Sequence, residues 1–293
     1  MLHGNPRETR SPGWSSPGSQ PNTSPGETGE ASQGFDRRRS TTVSVVGDVG
    51  HDGQVADPSE SPSLTDTLVR TDRTTLRRKK ERGSFDRDVV NAILDEGLLC
   101  HVGFSVEGST FVLPMVFARI QDDLYLHGAT GNHMLRALAQ GVEVCVTVTL
   151  LDAVVLARSA FHHSMNYRSV MVFGTPTRVE DDDEKRKAMM ALLEHIAPGR
   201  SGDTRPPSTD ELRATLMVRV PIAEGSAKVR TGGPIDEPGD LDAPIWAGQI
   251  PLSIVAGPAV TDGVLHPGVE PPSYVQAYPA RGAPKSGTTE SGR

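Results

Sequence analysis

Two cysteines in 293 residues are too few for a disulfide framework, and aromatic side chains make up only 4% of the chain. Cys100 and Cys145 each lie in an apolar alternating run, which reads as two buried free thiols. No apolar run reaches the roughly 20 residues needed to span a bilayer, and the polar N-terminus has no apolar signal core, so a cytoplasmic protein with no membrane contact is expected. Positive charge is in the minority, with 30 Lys and Arg against 37 Asp and Glu and a net charge of −7. That balance argues against a general nucleic-acid binder. One basic island, Arg73–Arg82 (RTTLRRKKER), reads as a solvated run, with nucleic-acid or membrane-surface contact as the alternative. Also missing are a Gly-X-Ser-X-Gly elbow, a P-loop, a His-Glu-X-X-His helix and paired Cys-X-X-Cys motifs.

What is there falls into three parts. Residues 1–82 are rich in Ser, Gly, Pro, Thr, Asp and Arg, cannot bury enough apolar surface to offset chain entropy, and read as a disordered tail. Residues 259–293 read as a second flexible tail, in which Tyr274 and Tyr278 are the side chains suited to docking on the surface. Residues 83–258 are left as one domain.

Within that domain Asp86–Gly97 has a capping Asp, a Val89/Val90–Ile93/Leu94 stripe and a stop at Gly97, and reads as a helix. Leu99–Ser105, Thr110–Arg119 and Asp123–Gly128 are short, β-rich runs separated by turns at Glu107–Gly108 and Gln121–Asp122. Pro114 inside the second run demands an edge position or an open ladder. A short helix over Asn132–Gln140, long strands at Glu143–Ala157 and Tyr167–Val179, a helix over Asp182–Ile196, a capping box at Ser208–Glu211 and a last strand at Leu216–Val220 complete the pattern. Many consecutive strands with few helices predict a mainly β fold, an antiparallel barrel with helices packed outside.

The densest polar cluster lies between the two long strands. Arg158, Ser159, His162, His163, Ser164, Asn166, Tyr167 and Arg168 fall within eleven positions, and burying so many donors and acceptors suggests the wall of a site for a polar, anionic ligand. An Ω-like loop tied by its own hydrogen bonds is the alternative. No third metal ligand accompanies the paired histidines at a diagnostic spacing, so no metal site is expected. Upstream, Tyr125–Met134 (YLHGATGNHM) is a strand, a Gly-containing loop and a helix start, where free N–H groups, Thr130 and Asn132 could meet a phosphate; an ordinary helix start is the alternative. Downstream, Lys228 and Arg230 share a face if extended, and Trp246 follows. An aromatic beside two cations suits a planar anion, or a Trp lid over the core.

The order DRDVVNAILDEG, LCHVGFSVEGSTFVLPMVFAR, LYLHGATGNHMLRALAQG and VCVTVTLLDAVVLARSAFHHSMNYRSVMVFG, followed by WAG, resembles the pyridoxamine 5′-phosphate oxidase-like family of flavin-nucleotide-binding proteins, in its 5-nitroimidazole reductase-like branch. The resemblance implies an FMN-binding split β-barrel and a homodimer with the cofactor in a groove between subunits. It implies Pro114 and Met115 near the isoalloxazine ring, and His127, Gly128, Thr130, Asn132 and His133 at the ribityl phosphate. Ser164, Asn166, Tyr167 and Arg168 would complete the cofactor site, with Lys228, Arg230 and Trp246 on the substrate side. The basic phosphate-gripping run and Arg-X-Trp signature of true pyridoxamine phosphate oxidases are absent, which argues against vitamin B6 oxidation.

The expected activity is an FMN-dependent reduction of a small acceptor by a nicotinamide cofactor, with Arg168 or Lys228 facing negative charge near flavin N1 and O2. Deazaflavin F420 is an alternative cofactor. So is haem, bound for storage, sensing or degradation, with His127, His133, His162 or His163 as ligand. A dimer with an empty groove is the remaining reading.

Overall fold

The computed structural model describes residues 66–279; residues 1–65 and 280–293 lie outside the description. Its elements are mainly antiparallel strands with a few flanking helices, as the sequence predicts.

Helix α1 (Arg87–Glu96) starts where the Asp86 carboxylate accepts the N–H groups of Asp88 and Val89 at 2.8 and 3.2 Å. It buries Val90, Ile93 and Leu94 on one stripe. Strands β2 (Leu99–Val106) and β3 (Ser109–Val116) form a hairpin whose turn residues Glu107 and Gly108 both have left-handed φ, 51° and 78°, matching the twist of the strands. With β1 (Gly83–Ser84), β6 (Val144–Leu156), β7 (Ser164–Gly174) and β10 (Glu224–Arg230) they form one sheet in the order β1-β10-β7-β6-β2-β3. β11 (Gly248–Pro251) pairs with the far half of β6. Pro114 therefore sits on the edge strand, where a missing N–H is tolerated.

The run Thr110–Arg119, expected as one strand, is two. The chain leaves the first sheet at Val116, buries Phe117 completely, and enters a second sheet as β4 (Ala118–Ile120). That sheet has the order β4-β5-β9-β8, with β5 (Asp123–Ala129), β8 (Thr177–Arg178) and β9 (Thr215–Pro221). The two sheets enclose one core, where Val102, Val146 and Val170 from the first meet Leu124, Leu126 and Val218 from the second. Helices α1 and α2 (His133–Ala139) contribute Ile93, Leu94, Leu135 and Leu138 to it. On the outer face of the second sheet Tyr125 and Met217 pack against Ala188 of α3 (Asp182–Ile196). Helix α4 (Thr209–Ala214) begins with the expected capping box, the Ser208 N–H donating to Glu211 Oε2 at 2.7 Å and the Glu211 N–H to Ser208 Oγ at 3.3 Å.

Leu216–Val220 is not the last strand, because β10 and β11 follow it. The small polar start of β10 hides it from a periodicity test, yet close packing requires it: a Cβ on Gly225 would lie 2.7 Å from the Met171 carbonyl oxygen. The polar stretch before Arg82 also conceals an anchor. Leu68 is buried in the core, its N–H donates to the Phe85 carbonyl at 2.8 Å, and Val69 N–H donates to the Ala223 carbonyl at 2.8 Å. Arg73 at the start of the basic island pairs with Glu224 and Glu143 at 2.6 and 2.8 Å and lies over the Phe173 ring. At the other end, α5 (Ser273–Gln276) docks through the Tyr274 hydroxyl on Asp203 at 2.8 Å, and the Tyr278 hydroxyl donates to the Ile196 carbonyl. Both cysteines are free, and burial pushes the Cys100 thiol up to about 12. Among the described residues no helix is long and apolar enough to cross a membrane.

Candidate functional site

Side chains directly opposite in an antiparallel ladder share a face. Register therefore places Pro114, His101, Thr147, Met171 and Ser226 in one row across the first sheet, and Thr149, Ser169 and Lys228 in the next. Leu151, Tyr167 and Arg230 form a third row. The opposite face belongs to the core, through Val102, Val146, Val148, Val170 and Ala227. His101 and Thr149 stay exposed and Thr147, Ser169, Tyr167 and Lys228 half-buried, so the outward face is an open strip of hydroxyls and rings ending in two cations.

At that end the structure gathers several of the expected residues. Asn166 is buried; its amide nitrogen donates to the Gly232 carbonyl at 3.1 Å and to Gln249 Oε1 at 2.6 Å, and its Oδ1 accepts from Arg230. Arg230 is 5% exposed and also donates to the Gly232 and Gly233 carbonyls at 3.4 and 3.3 Å. Burial, with a smaller repulsion from nearby Arg82, lowers its pKa. The Lys228 ammonium stands 6.0 Å from the Tyr167 ring centroid. Trp246 is largely exposed, its ring lying against Gly248 on the segment that carries Gln249. Ser164 opens β7 opposite Val155.

Much of the polar knot serves the fold instead. The Arg168 guanidinium donates to Glu96 Oε1 at 2.8 Å, to Glu96 Oε2, and to both Asp152 oxygens at 2.8 and 3.1 Å. Those hydrogen bonds raise its pKa and commit its charge, leaving little for an anionic ligand. Arg158 is held likewise, its backbone N–H and guanidinium donating to Asp236 at 2.8 and 2.7 Å. His163 Nδ1 lies 2.9 Å from the Ser159 carbonyl, and His162 lies 3.6 Å from Glu237. Gln249, Glu96, Asp152 and Asp236 are the partners that sequence reasoning missed. Glu96 and Asp152 lie inside the segments DRDVVNAILDEG and VCVTVTLLDAVVLARSAFHHSMNYRSVMVFG, and Gln249 directly follows Gly248 of WAG, but nothing local marks any of them as a partner.

The Tyr125–Met134 segment lies in the second sheet. Asn132 Oδ1 caps α2 by accepting the Leu135 N–H at 3.0 Å, Thr130 N–H donates to the Ala214 carbonyl, and Thr130, Asn132 and His133 are exposed. Gly128 is packed so that a Cβ would lie 2.9 Å from Leu135 Cδ1. Asn132 and Gly128 thus both serve the entry to α2. His127 differs: its Nδ1 is buried without a hydrogen-bond partner, and burial lowers its pKa. It faces a cavity of about 420 Å³ lined also by Val116, Met189, Met190, Leu193 and Ile196, with the Arg205–Glu211 ion pair beside it. Val116 brings the end of β3, just past Pro114 and Met115, to the same cavity. Among the described residues no three His, Cys, Asp or Glu side chains converge as for a metal ion.

A family model described as pyridoxamine 5′-phosphate oxidase matches residues 86–229. The flavocytochrome Anf3 of Azotobacter vinelandii aligns at 36% identity over 70% of this chain and 96% of its own, with a TM-score of 0.66. An FAD and haem binding protein from Mycobacterium smegmatis aligns at 36% identity over 69% of this chain and 100% of its own, also with a TM-score of 0.66. A 5-nitroimidazole antibiotic resistance candidate from Bacteroides thetaiotaomicron is more distant, at 28% identity over 49% of this chain, 84% of its own and a TM-score of 0.43. No curated protein sequence matches the chain. The chain belongs to the pyridoxamine 5′-phosphate oxidase-like family of flavin-binding proteins and has its split-barrel fold.

Proposed function

We propose that this chain is a flavin-dependent oxidoreductase that also carries a haem in the cavity beside His127. The observation that carries the reading is the buried His127 Nδ1, left without a hydrogen-bond partner in a cavity lined mainly by apolar side chains, with Thr204 and the Arg205–Glu211 pair as its polar part. Burial holds that imidazole neutral, the form that binds iron. The two relatives at 36% identity, a flavocytochrome and a protein that binds FAD and haem, support it.

When bound, the flavin would supply hydride or electron transfer and the haem one-electron chemistry. The protein's own contribution is positioning and exclusion. Met189, Met190, Leu193 and Ile196 give the His127 cavity an apolar wall. Thr147, Thr149 and Ser169 offer hydroxyls across the open sheet face, and Tyr167 offers a ring against which a planar group can lie. Pro114 lies on the edge strand β3, whose outward backbone groups have no ladder partner among the described residues and are free to meet a flavin edge. The exposed Phe111, Val112, Leu113 and Val116 of β3 support a second copy of this chain as the partner that covers the strip, giving a homodimer. A nicotinamide cofactor is the proposed electron donor.

The test is a visible absorption spectrum of the purified protein with FMN, FAD, F420 or haemin added. Uptake of FMN or FAD and a Soret band are expected, with the Soret band lost and flavin uptake kept in His127→Ala. A Soret band of equal strength in that variant removes His127 from the reading. Uptake of F420 with neither flavin reassigns the cofactor.

A further inference from the structure

We propose that Arg82, Lys228 and Arg230, gathered at the β1–β10 edge with Lys228 and Arg230 beside Tyr167, form a seat for the diphosphate of a dinucleotide. The seat deepens the flavin reading and rests on it only for the source of that diphosphate.

The first observation is a missing counter-ion. The other buried or half-buried arginines outside this cluster have carboxylates within reach. Arg87 pairs with Asp122, Arg119 with Asp95, Arg158 with Asp236, Arg168 with Glu96 and Asp152, and Arg186 more loosely with Asp183. Arg230 is the most buried arginine described, yet its hydrogen bonds go to three neutral oxygens, on Asn166, Gly232 and Gly233. Among the described residues no carboxylate pairs with Arg230, Lys228 or Arg82. A chain with 37 acidic side chains against 30 Lys and Arg does not lack candidates for the role. A buried cation without a counter-ion is costly, and an arriving anion offsets that cost.

The second observation is that cations accumulate there rather than disperse. Gly83 pairs with Lys228 in the β1–β10 ladder, which sets Arg82 beside this end of β10, close enough to repel Arg230. Lys228 and Arg230, two residues apart on one strand, share a face, with Tyr167 opposite Arg230. Guanidinium forks match phosphate oxygens in pairs, and three cations suit the two charges of a diphosphate better than a single carboxylate.

The third observation is length. From β10 to edge strand β3 the sheet order is β10-β7-β6-β2-β3, four ladder steps, or about 19 Å at strand spacing. A ring system lying at Pro114 would need more than a ribityl phosphate to reach Lys228, whereas a dinucleotide has the length. The same diphosphate occurs in a flavin dinucleotide and in a nicotinamide dinucleotide.

The experiment compares the full chain with the double variant Arg82→Gln/Lys228→Gln, neither position being fully buried. Binding of FAD, FMN and NADPH is titrated, and thermal protection of the cofactor-free protein by inorganic pyrophosphate is measured against sulfate at equal ionic strength. The seat predicts pyrophosphate protection in the wild type and not in the variant. It also predicts at least tenfold weaker FAD binding in the variant, with FMN binding within twofold. Loss confined to NADPH keeps the seat and assigns it to the nicotinamide dinucleotide. If the wild type takes up no flavin but keeps pyrophosphate protection, the flavin reading falls and the seat stands. Equal weakening of FMN and FAD, or no pyrophosphate protection in the wild type, overturns the seat.

Discussion

Replacing Arg168 by Met removes a cation that bridges Glu96 and Asp152. Two carboxylates held close together by that guanidinium, 30% and 17% of their side-chain surface exposed, then lose its shared charge. Removing one partner of a fully buried pair costs about 3–5 kcal/mol. Partial exposure here lets water screen the remaining charge, so the expected loss is about 2–3 kcal/mol. At about 2–4 °C per kcal/mol for a domain of this size, the melting temperature falls by about 4–12 °C. The pH dependence has a definite sign. Two apposed, partly desolvated carboxylates have folded-state pKa values raised above their unfolded values, so the folded variant binds more protons than the unfolded chain. Its stability therefore falls as pH rises through the carboxylate range, and the deficit against wild type is smaller near pH 5 than near pH 8. Urea denaturation at the two pH values measures it, and the triple variant Glu96→Gln/Asp152→Asn/Arg168→Met should recover most of the loss. Flavin affinity of the single variant should change little, because Arg168 is already occupied by carboxylates. A pH-independent loss below about 0.5 kcal/mol, or a large loss of flavin affinity with stability intact, refutes the reasoning.

Other outcomes can be checked on the same protein. Burial lowers the His127 pKa, so the unfolded chain binds a proton there first and stability declines as pH falls below about 6.5; in His127→Phe that part of the decline should vanish from a melting series without added cofactor. Gly225→Ala forces a Cβ to 2.7 Å from a backbone oxygen and should cost at least about 2 kcal/mol by urea denaturation. Gly248→Ala meets only the exposed Trp246 ring, which can swing aside, so it should cost less than about 1 kcal/mol while shifting tryptophan fluorescence.

Local signals in the sequence are legible where the structure itself is local. Asp86 and the Ser208–Glu211 box cap their helices as composition suggests, and helix α3 keeps the bounds that its acidic start implies. Alternation reveals β6, but a strand pattern carries no mark of which sheet a strand joins, and Tyr167–Val179, expected as one strand, divides between β7 in the first sheet and β8 in the second. Hence the break at Phe117, a buried residue in an unbroken apolar run, is invisible. Strand β10 is hidden for the opposite reason, since the residues that let it pack closely, Gly225, Ser226 and Ala227, have little β-propensity. In the site, residue types are legible and commitments are not. Arg168 and Arg230 look alike in sequence, and only the distant Glu96 and Asp152 separate a structural clasp from a cation with no carboxylate.

Strand β6 holds a further consequence. Its buried positions are Val144, Val146, Val148 and Leu150 before the register shift at Leu151/Ala153, and Ala153 and Val155 after it. The inward parity changes from even to odd at one skipped residue, Asp152. That residue is a phase shifter: it lets a single strand answer first to β2 and then to β11 while keeping an apolar side toward the interior throughout. Forcing Asp152 into a regular ladder would turn one half of the strand inside out, whereas excising it would keep both halves in phase and remove a carboxylate that clasps Arg168. The irregularity therefore does two jobs at once, keeping the apolar side inward and bringing a carboxylate to Arg168, and a deletion variant would lose the second while keeping the first.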